Sequence, residues 1–339
     1  MSSLPMFRIP SLVREQIVEN MAVCDALSLS LTSKKGARIV KDGLRYFKPV
    51  YLNIVIGRKG TYVAVFVENE TWSIINWTFQ NSVAAKRYRK KHVWNVSRME
   101  VLAGKKKTGE FDSVFCARSP PHLVDFYMDK MIRHFLSIFP KCTVKYLEVY
   151  PSDVFSSFNV ARALSALQVV ESVHLIGEDY RNESKFILEN IEITKTCKTE
   201  SYVFTGGQLV DKLKCTDEVD CTNATWMRLE TLLSLNCKQV TLSKTRFRNQ
   251  DLMEFLKKWK TSRGEEMKNI RRWKIDCPLG TMPLDLSDLD GTPTNPGRRP
   301  QKYQEVDCCG GIDIEREDGL LATVIQSSDT RIFFMVWQN

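Results

Sequence analysis

Residues 7–45 read FRIPSLVREQIVENMAVCDALSLSLTSKKGARIVKDGLR, with apolar side chains at the three- and four-residue spacing of a helix. Pro10 suits the first turn of a helix, where its missing N–H is not needed. Asp25 and Ser33 are of residue types that cap helix N-termini. The stretch therefore predicts three short helices, the second capped by Asp25 and the third by Ser33.

Three helices of this length carry more apolar surface than they can bury among themselves. Such a composition is typical of an obligate interface, in which another protein or the following domain covers the remaining surface. Periodicity alone leaves one alternative open. The same apolar residues could form an ordinary small core that needs no partner.

The next segment, residues 50–121, has the composition of β-strands. Gly and polar residues at 57–60 and 68–70 separate runs rich in β-branched and aromatic residues, which predicts an antiparallel meander. The basic stretch 86–107 and the residues up to 121 are expected to form a polar connection around one strand at 93–102. The predicted strands of the meander are 51–56, 62–67 and 72–77.

Residues 122–277 alternate between amphipathic helices and short apolar strands, at a step of about 30 residues. That period is typical of leucine-rich-repeat-like and other βα arrays. Residues 180–222 are less regular, and strands are expected there at 186–193 and 202–205. The other expected elements are helices at 122–139, 153–167, 224–235 and from Asn249 or Asp251 to about Lys260, and strands at 144–149, 173–176, 239–242 and 270–275.

The C-terminal part differs in composition. Residues 278–304 are rich in Pro, Gly, Ser and Asp, which predicts a linker or long loop. Residues 305–339 contain strand-like runs separated by turns at Asp318-Gly319 and 327–330, which predicts a β meander. The expected fold class is therefore α+β, with three N-terminal helices, an antiparallel β segment, βα units and a C-terminal β meander.

The composition of the 339 residues is that of an ordinary globular protein, with 43% hydrophobic and 26% charged residues. No apolar run approaches the roughly 20 residues needed to span a membrane, and the N-terminus lacks a signal-peptide pattern. The ten cysteines include no Cys-x-x-Cys pair, and the four histidines lack ligand spacing, so we expect free thiols and no structural metal. We expect a soluble protein of the cytoplasm, the nucleus or both, without membrane contact.

The formal net charge of +9 suggests nucleic-acid binding as one interpretation. Its densest source is the run KRYRKKH at 86–92, followed by three lysines at 105–107. Runs of this kind are usually solvated loops, and less often nuclear-localisation signals. No aromatic-interleaved binding motif accompanies them. Nucleic-acid binding through residues 86–107 is therefore an alternative, and nucleic acid is not the expected partner.

Enzyme motifs are missing from the sequence. It contains no phosphate-binding glycine loop, nucleophile elbow, zinc-protease helix or set of kinase motifs. The serine-rich patches have no histidine in a recognisable order, and Gly206-Gly207 is most simply a turn. We therefore expect no catalytic residue, no cofactor and no enzymatic activity.

The order of residue types in 7–45 resembles the F-box, in the version that is fused to a type-2 F-box-associated domain in a large nematode family. Residues 122–276 and 310–314 also resemble that family. Two positions depart from the F-box pattern, namely Ala26, where a second leucine is common, and Gly36-Ala37, where helix three often has an aromatic residue. The matching steps, in order, are Ile9-Pro10, Ile17-Val18 with Met21, Asp25 with Leu27, Leu29 to Leu31, and Ser33 to Lys35.

The resemblance implies a substrate-receptor subunit of a Skp–cullin–F-box ubiquitin ligase. The F-box would bind the Skp-type adaptor, which connects to a cullin and a RING subunit, and the C-terminal domain would hold a target protein. A scaffold that binds the adaptor without supporting ubiquitin transfer is a further alternative. The residues implied in adaptor binding are Ile9, Pro10, Leu12, Val13, Ile17, Val18, Met21, Asp25, Leu27, Leu29, Ser30 and Leu31.

Overall fold

The computed structural model divides the chain into two compact units, Met1–Val170 and Glu171–Asn339. Among the described residues, no helix combines the length and the apolar character that crossing a membrane requires. The residues that the structure describes are 9–44, 49–57, 61–69, 75–80, 92–96, 99–103, 113–118, 123–139, 141–150, 158–178, 183–200, 213–263, 266–281, 283–295, 297, 299–304, 306–328 and 330–337.

The first unit begins with the three predicted helices, α1 (Ser11–Glu19), α2 (Val23–Thr32) and α3 (Lys34–Gly43). The Ser33 hydroxyl accepts a hydrogen bond from the Gly36 N–H at 2.9 Å, which confirms the predicted cap of α3. The predicted cap of α2 is wrong. Ala22 precedes the helix in an extended conformation, so Asp25 lies inside the first turn. Its carboxylate there still interacts favourably with the positive end of the helix dipole.

These helices form a small core of their own. Val18, Leu27, Leu31 and Val40 are each at most 2% exposed. A Cβ atom at Gly43 would lie 2.5 Å from the Cβ of Val18, so α1 approaches α3 at a distance that only glycine permits. The ordinary-core interpretation therefore holds for part of the apolar set.

The other described elements of the first unit are β1 (Val50–Ile56), β2 (Thr61–Val67), β3 (Ile75–Gln80), β4 (His92–Val96), β5 (Met99–Ala103), β6 (Ser113–Arg118), α4 (Val124–Ile138), β7 (Thr143–Val149) and α5 (Val160–Ala163). Five strands are hydrogen-bonded neighbours in the order β7-β1-β2-β3-β6. β1, β2 and β3 are antiparallel, which confirms the predicted meander. β7 pairs in parallel with β1, and β6 with β3.

Two differences from the sequence prediction lie between β3 and α4. The single strand expected at 93–102 is a hairpin of β4 and β5. β6 falls in a segment that was expected to be a polar connection. Its partner β3 is distant in the sequence, and a local pattern does not reveal such a pairing. The helix predicted at 153–167 contains α5, while residues 151–157 lie outside the described residues.

The sheet of the first unit has one buried face. Along β1, buried and half-buried side chains alternate, as in a strand with one side in the core. Leu52 and Ile54 of β1, and Met128 and Phe135 of α4, are completely inaccessible to solvent. The opposite face of the sheet stays half-buried, and Tyr51 is its first residue on β1.

The second unit contains all of β8 (Val169–Leu175) except its first two residues. It continues with α6 (Glu183–Asn190), β9 (Glu192–Thr199), β10 (Glu218–Cys221), α7 (Leu229–Ser234), β11 (Gln239–Leu242), α8 (Asn249–Thr261) and β12 (Arg272–Asp276). β9 to β12 are neighbours in sequence order and pair in parallel. The strands predicted at 239–242 and 270–275 are confirmed as β11 and β12. The leucine-rich-repeat-like character of this array stays a prediction.

The strand predicted at 186–193 is wrong, because α6 occupies most of that range. Its apolar run at 186–188 is short, and periodicity alone does not distinguish a short buried helix from a strand. A regular helix–strand step therefore exists where the sequence was expected to be irregular. The strand predicted at 202–205 lies outside the described residues.

The C-terminal part contains a 3-10 helix (Ser287–Leu289) and the strands β13 (Thr292–Pro293), β14 (Lys302–Tyr303), β15 (Val306–Asp307), β16 (Ile312–Glu315), β17 (Leu321–Ser328) and β18 (Arg331–Val336). The predicted meander is confirmed as β16-β17-β18, and β18 pairs antiparallel with β12. The segment 278–304, expected as a linker or long loop, includes the buried Arg299, which forms an ion pair with Asp313 at 3.0 Å.

Candidate protein-interaction surfaces

The first candidate surface is a row of exposed apolar side chains on α1. Leu12 is 67% exposed, Val13 41% and Ile17 38%. Pro10 precedes the helix, and its carbonyl oxygen accepts the Arg14 N–H at 3.1 Å. We call Leu12, Val13 and Ile17 the α1 row. Large apolar side chains grouped on one helix and left in water are typical of a surface that another protein covers.

Charged side chains are also present on α1 and α3. A cleft there has a mostly polar lining, namely Ser11, Arg14, Glu15, Lys35, Arg38, Ile39 and Asp42. Protein–protein interfaces combine an apolar centre with polar and charged side chains. The chemistry of these two helices therefore suits a protein partner.

The structure divides the residues implied in adaptor binding into three groups. The α1 row, Pro10 and Asp25 are exposed, whereas Ile9, Met21 and Leu29 are half-buried. Val18, Leu27, Ser30 and Leu31 are buried, at 3% exposure or less. The buried members belong to the core of the helices, so a partner meets mainly the residues of α1. The sequence pattern did not separate these groups, since all of them recur at helical spacing.

Ser30 connects the helical module to α4. Its hydroxyl oxygen lies 2.9 Å from Nε2 of His134. Burial lowers the pKa of His134 to about 4. Sequence reasoning did not identify His134, because nothing in a single sequence indicates a contact between residues so far apart.

A buried carboxylate joins α4 to α5. Asp125 is completely inaccessible, and its Oδ2 atom accepts hydrogen bonds from Arg162 Nε at 2.8 Å and from the Asn159 N–H at 3.0 Å. The Phe126 N–H donates to the other oxygen at 2.8 Å. Both oxygens are satisfied within the chain, so the arrangement is explained as a structural connection and not as a reaction centre.

The second candidate surface is one face of the strands β9 to β12. Lys198, Asp220, Thr241 and Lys274 lie in register on successive strands and are all half-buried. Burial and the nearby Glu218 raise the pKa of Asp220. The other face is apolar, with Cys197, Val219, Val240 and Trp273 at 1% exposure or less.

Partly exposed ion pairs connect neighbouring strands around this mixed-charge face. Lys198 Nζ lies 2.8 Å from Glu218 Oε2, and Lys195 Nζ lies 2.7 Å from Glu171 Oε2. Pairs of this kind contribute little to folding stability. The face therefore displays charges of both signs that a protein partner can match.

The cysteines whose side chains the structure describes are free thiols. Burial raises the pKa of Cys221 and of Cys237 to about 12, so both stay protonated at neutral pH. Within the described ranges, no group of three or more His, Cys, Asp or Glu side chains is arranged to hold a metal ion.

Most of the basic segment 86–107 lies outside the described residues. The described residues therefore do not test the nucleic-acid alternative, which stays a prediction.

The chain is similar to several known proteins. Residues 208–271 match the model of a family described as F-box associated. The chain is 25% identical to the uncharacterized protein F59B2.9 of Caenorhabditis elegans, over 99% of this chain and 79% of that protein. It is 21% identical to F59B2.8 of the same organism, over 99% of this chain and 78% of that protein.

The Skn-1 dependent zygotic transcript 15 protein of Caenorhabditis elegans is 23% identical, over 95% of each chain. No solved structure matches the chain. The match at 208–271 includes β10, α7, β11 and α8, which are part of the set of parallel strands and helices in the second unit.

Proposed function

We propose that the protein is a substrate-receptor subunit of a Skp–cullin–F-box ubiquitin ligase. It binds the Skp-type adaptor through the N-terminal helices and a target protein through the C-terminal part of the chain. It contributes no chemistry of its own. It accelerates ubiquitin transfer because it raises the local concentration of the target near the transfer machinery.

The observation that carries this proposal is the α1 row. Val18 and Leu27 on the same helices are fully buried, whereas Leu12 and Ile17 stay in water. A module that has filled its own core and still exposes large apolar side chains has the composition of a binding surface. The resemblance of residues 7–45 to the F-box gives the class of partner, a Skp-type adaptor.

The F-box-associated match at 208–271 supports the second half of the proposal. The resemblance to the F-box family implies that adaptor binding and target binding lie in different parts of the chain. The mixed-charge face of β9 to β12, to which this segment contributes β10 and β11, is the candidate target surface.

The adaptor test uses full-length protein and a Skp-type adaptor in a pull-down. The variant Leu12→Glu/Ile17→Glu places two carboxylates in the α1 row, and we expect it to lose adaptor capture at least about tenfold, because each charge would be desolvated at the interface. Leu279→Glu is the matched control, since Leu279 is 86% exposed and lies in the second unit. Equal capture by the wild-type protein and the double variant would overturn the proposal.

A reconstituted ligase assay separates the receptor from a scaffold. With adaptor, cullin, RING subunit and ubiquitin-loaded enzyme present, a receptor promotes ubiquitination of its target or of itself, and a scaffold does not. The nucleic-acid alternative has its own readout, which is oligonucleotide binding that weakens steeply as salt rises.

A further inference from the structure

A cluster of aromatic side chains surrounds one carboxylate on the half-buried face of the first unit's sheet. Tyr146, Glu148 and Tyr150 lie at alternate positions along and just after β7, so their side chains share one face. Val55 of β1 pairs with Glu148 on one side and with Tyr62 of β2 on the other, which brings Tyr62 to the same face. We call Tyr62, Tyr146, Glu148 and Tyr150 the Glu148 cluster.

The carboxylate of Glu148 has no cationic partner within the part of the chain that the structure describes. The Tyr146 hydroxyl donates a hydrogen bond to Glu148 Oε2 at 2.8 Å. Among the described residues, no Lys, Arg or His side chain forms an ion pair with Glu148. The site is half-buried. Desolvation is the larger cause of the raised pKa of Tyr62, and the charge of Glu148 is the smaller one. A partly desolvated carboxylate without a counter-ion attracts a cation from outside the chain.

The position of Tyr150 depends on the adjacent backbone. Its N–H donates to the Ile56 carbonyl oxygen at 2.9 Å. A Cβ atom at Gly57 would lie 3.1 Å from a carbon of the Tyr150 ring, so glycine allows the ring to lie against the main chain. The ring is therefore held against the main chain at Gly57 by contacts within the chain.

The same face already holds a cation on an aromatic ring. The ammonium nitrogen of Lys145 lies 3.9 Å from the centroid of the Tyr51 ring. Tyr51 in turn stacks against Phe66, with their centroids 5.0 Å apart. Aromatic faces attract cations through their quadrupole, and this surface provides several of them.

Two side-chain amide oxygens on this face have no hydrogen-bond partner among the described residues. Asn53 of β1 and Asn76 of β3 flank Ala64 of β2 in the register, and the Oδ1 atom of each is buried without a hydrogen-bond partner. An amide group that rotates about its last torsion can offer this oxygen to a donor. The main-chain N–H groups of a polypeptide are such donors. The strip of this face that holds Asn53 and Asn76 therefore suits a protein segment better than a small cation.

We propose that this sheet face docks a segment of a partner protein that places a lysine or arginine side chain against the Glu148 cluster. The carboxylate supplies the counter-charge, and the tyrosine rings supply cation–π contacts and apolar walls for the side-chain stem. The proposal uses none of the α1 row and does not require ligase activity. A ligase target is one class of protein that could carry the segment.

The test uses the full-length chain and four degenerate dodecapeptide pools with a fluorescent label. The pools are identical except for one central residue, which is Arg, Lys, Gln or Glu, and their variable positions contain no charged residue. Fluorescence anisotropy should show the Arg and Lys pools binding about tenfold more tightly than the Gln pool. Non-specific attraction predicts the opposite order, since the formal net charge of the chain is +9 and would favour the Glu pool.

Two variants assign the preference to the cluster. Glu148→Gln keeps the side-chain shape and should remove most of the preference for the Arg and Lys pools over the Gln pool. Tyr62→Leu should reduce binding of the Arg and Lys pools and leave the Gln pool unchanged. Glu171→Gln is the matched control, because it removes a half-buried carboxylate of the second unit that pairs with Lys195, and it should keep the preference. The proposal is overturned if no pool binds, if the Gln pool binds the wild-type chain as well as the Lys pool, or if Glu148→Gln keeps the preference.

Discussion

The Nε2 atom of His134 lies 2.9 Å from the Ser30 hydroxyl oxygen, a contact that joins α4 to α2 across 104 positions of the chain. The Ser30 hydroxyl itself donates to the Leu27 carbonyl oxygen at 2.7 Å. Its oxygen is therefore available to accept the Nε2–H of a neutral imidazole. Because burial lowers the pKa of His134 to about 4, the neutral ring persists well below neutral pH.

This contact makes folding stability depend on pH. In the unfolded chain a histidine has a pKa near 6.5, so between pH 6.5 and 4 the unfolded chain binds the proton and the folded one does not. Stability contributed by His134 is present above pH 6.5 and is lost as the pH falls toward 4. The unfolding free energy should be about 2 kcal/mol lower at pH 5 than at pH 7 from this group. Urea titrations followed by circular dichroism measure it.

His134→Gln is the control for that prediction, since its amide can still donate to Ser30 and does not titrate. The variant should lose most of the difference between pH 5 and pH 7. If it keeps the full difference, the pH dependence arises elsewhere in the chain.

Ile17 and Leu27 should respond differently to a charge. Ile17 is 38% exposed and Leu27 is fully buried. Ile17→Glu should lower the unfolding free energy by less than about 1 kcal/mol, and Leu27→Glu by about 3 kcal/mol or more, because only the second buries an unpaired carboxylate. Chemical denaturation of the two variants checks this. Similar losses in both variants would contradict the burial of Leu27 in α2.

This difference affects how the adaptor residues are tested. Loss of adaptor capture in Leu27→Glu would follow from damage to the helical core and would not locate the interface. Substitutions in the α1 row locate it, since they leave the core intact.

Among the cysteines whose side chains the structure describes, Cys309 should react fastest with iodoacetamide. It is exposed, whereas Cys24 and Cys142 are half-buried and the others are buried. Its pKa is raised by its hydrogen bond with Asp307, so Asp307→Asn should increase the thiolate fraction and the labelling rate at pH 8. Mass spectrometry of digested samples reports each site. An Asp288→Asn control should keep the wild-type labelling rate. An unchanged rate in Asp307→Asn, or the same increase in Asp288→Asn, would contradict the assigned cause.

Several elements followed from local sequence alone. The three N-terminal helices, β1, β2 and the C-terminal meander have strong local patterns, namely helical spacing in one case and alternation between turn residues in the other. The Ser33 cap was also readable, because a cap depends on residues three positions apart.

Other elements depended on context. The run at 186–188 is too short for its period to separate helix from strand, and α6 forms there because Ile187 and Leu188 are both buried in the second unit. β6 is a strand through its parallel pairing with β3, a partner that no local pattern indicates. The N-cap of α2 is Ala22 and not the predicted Asp25, because Ala22 is extended and the helix begins at Val23.

The candidate sites divide in the same way. The sequence by itself determined that residues 7–45 carry an apolar set at F-box spacing. It did not determine that Leu12 and Ile17 stay in water while Val18 and Leu27 are buried, because that depends on where α3 packs. The Glu148 cluster is further from sequence reasoning. Tyr62 and Glu148 share one face because β1 pairs with both β2 and β7. The alternation along one strand determines only to which face each side chain points. Long-range strand pairing determines which side chains meet.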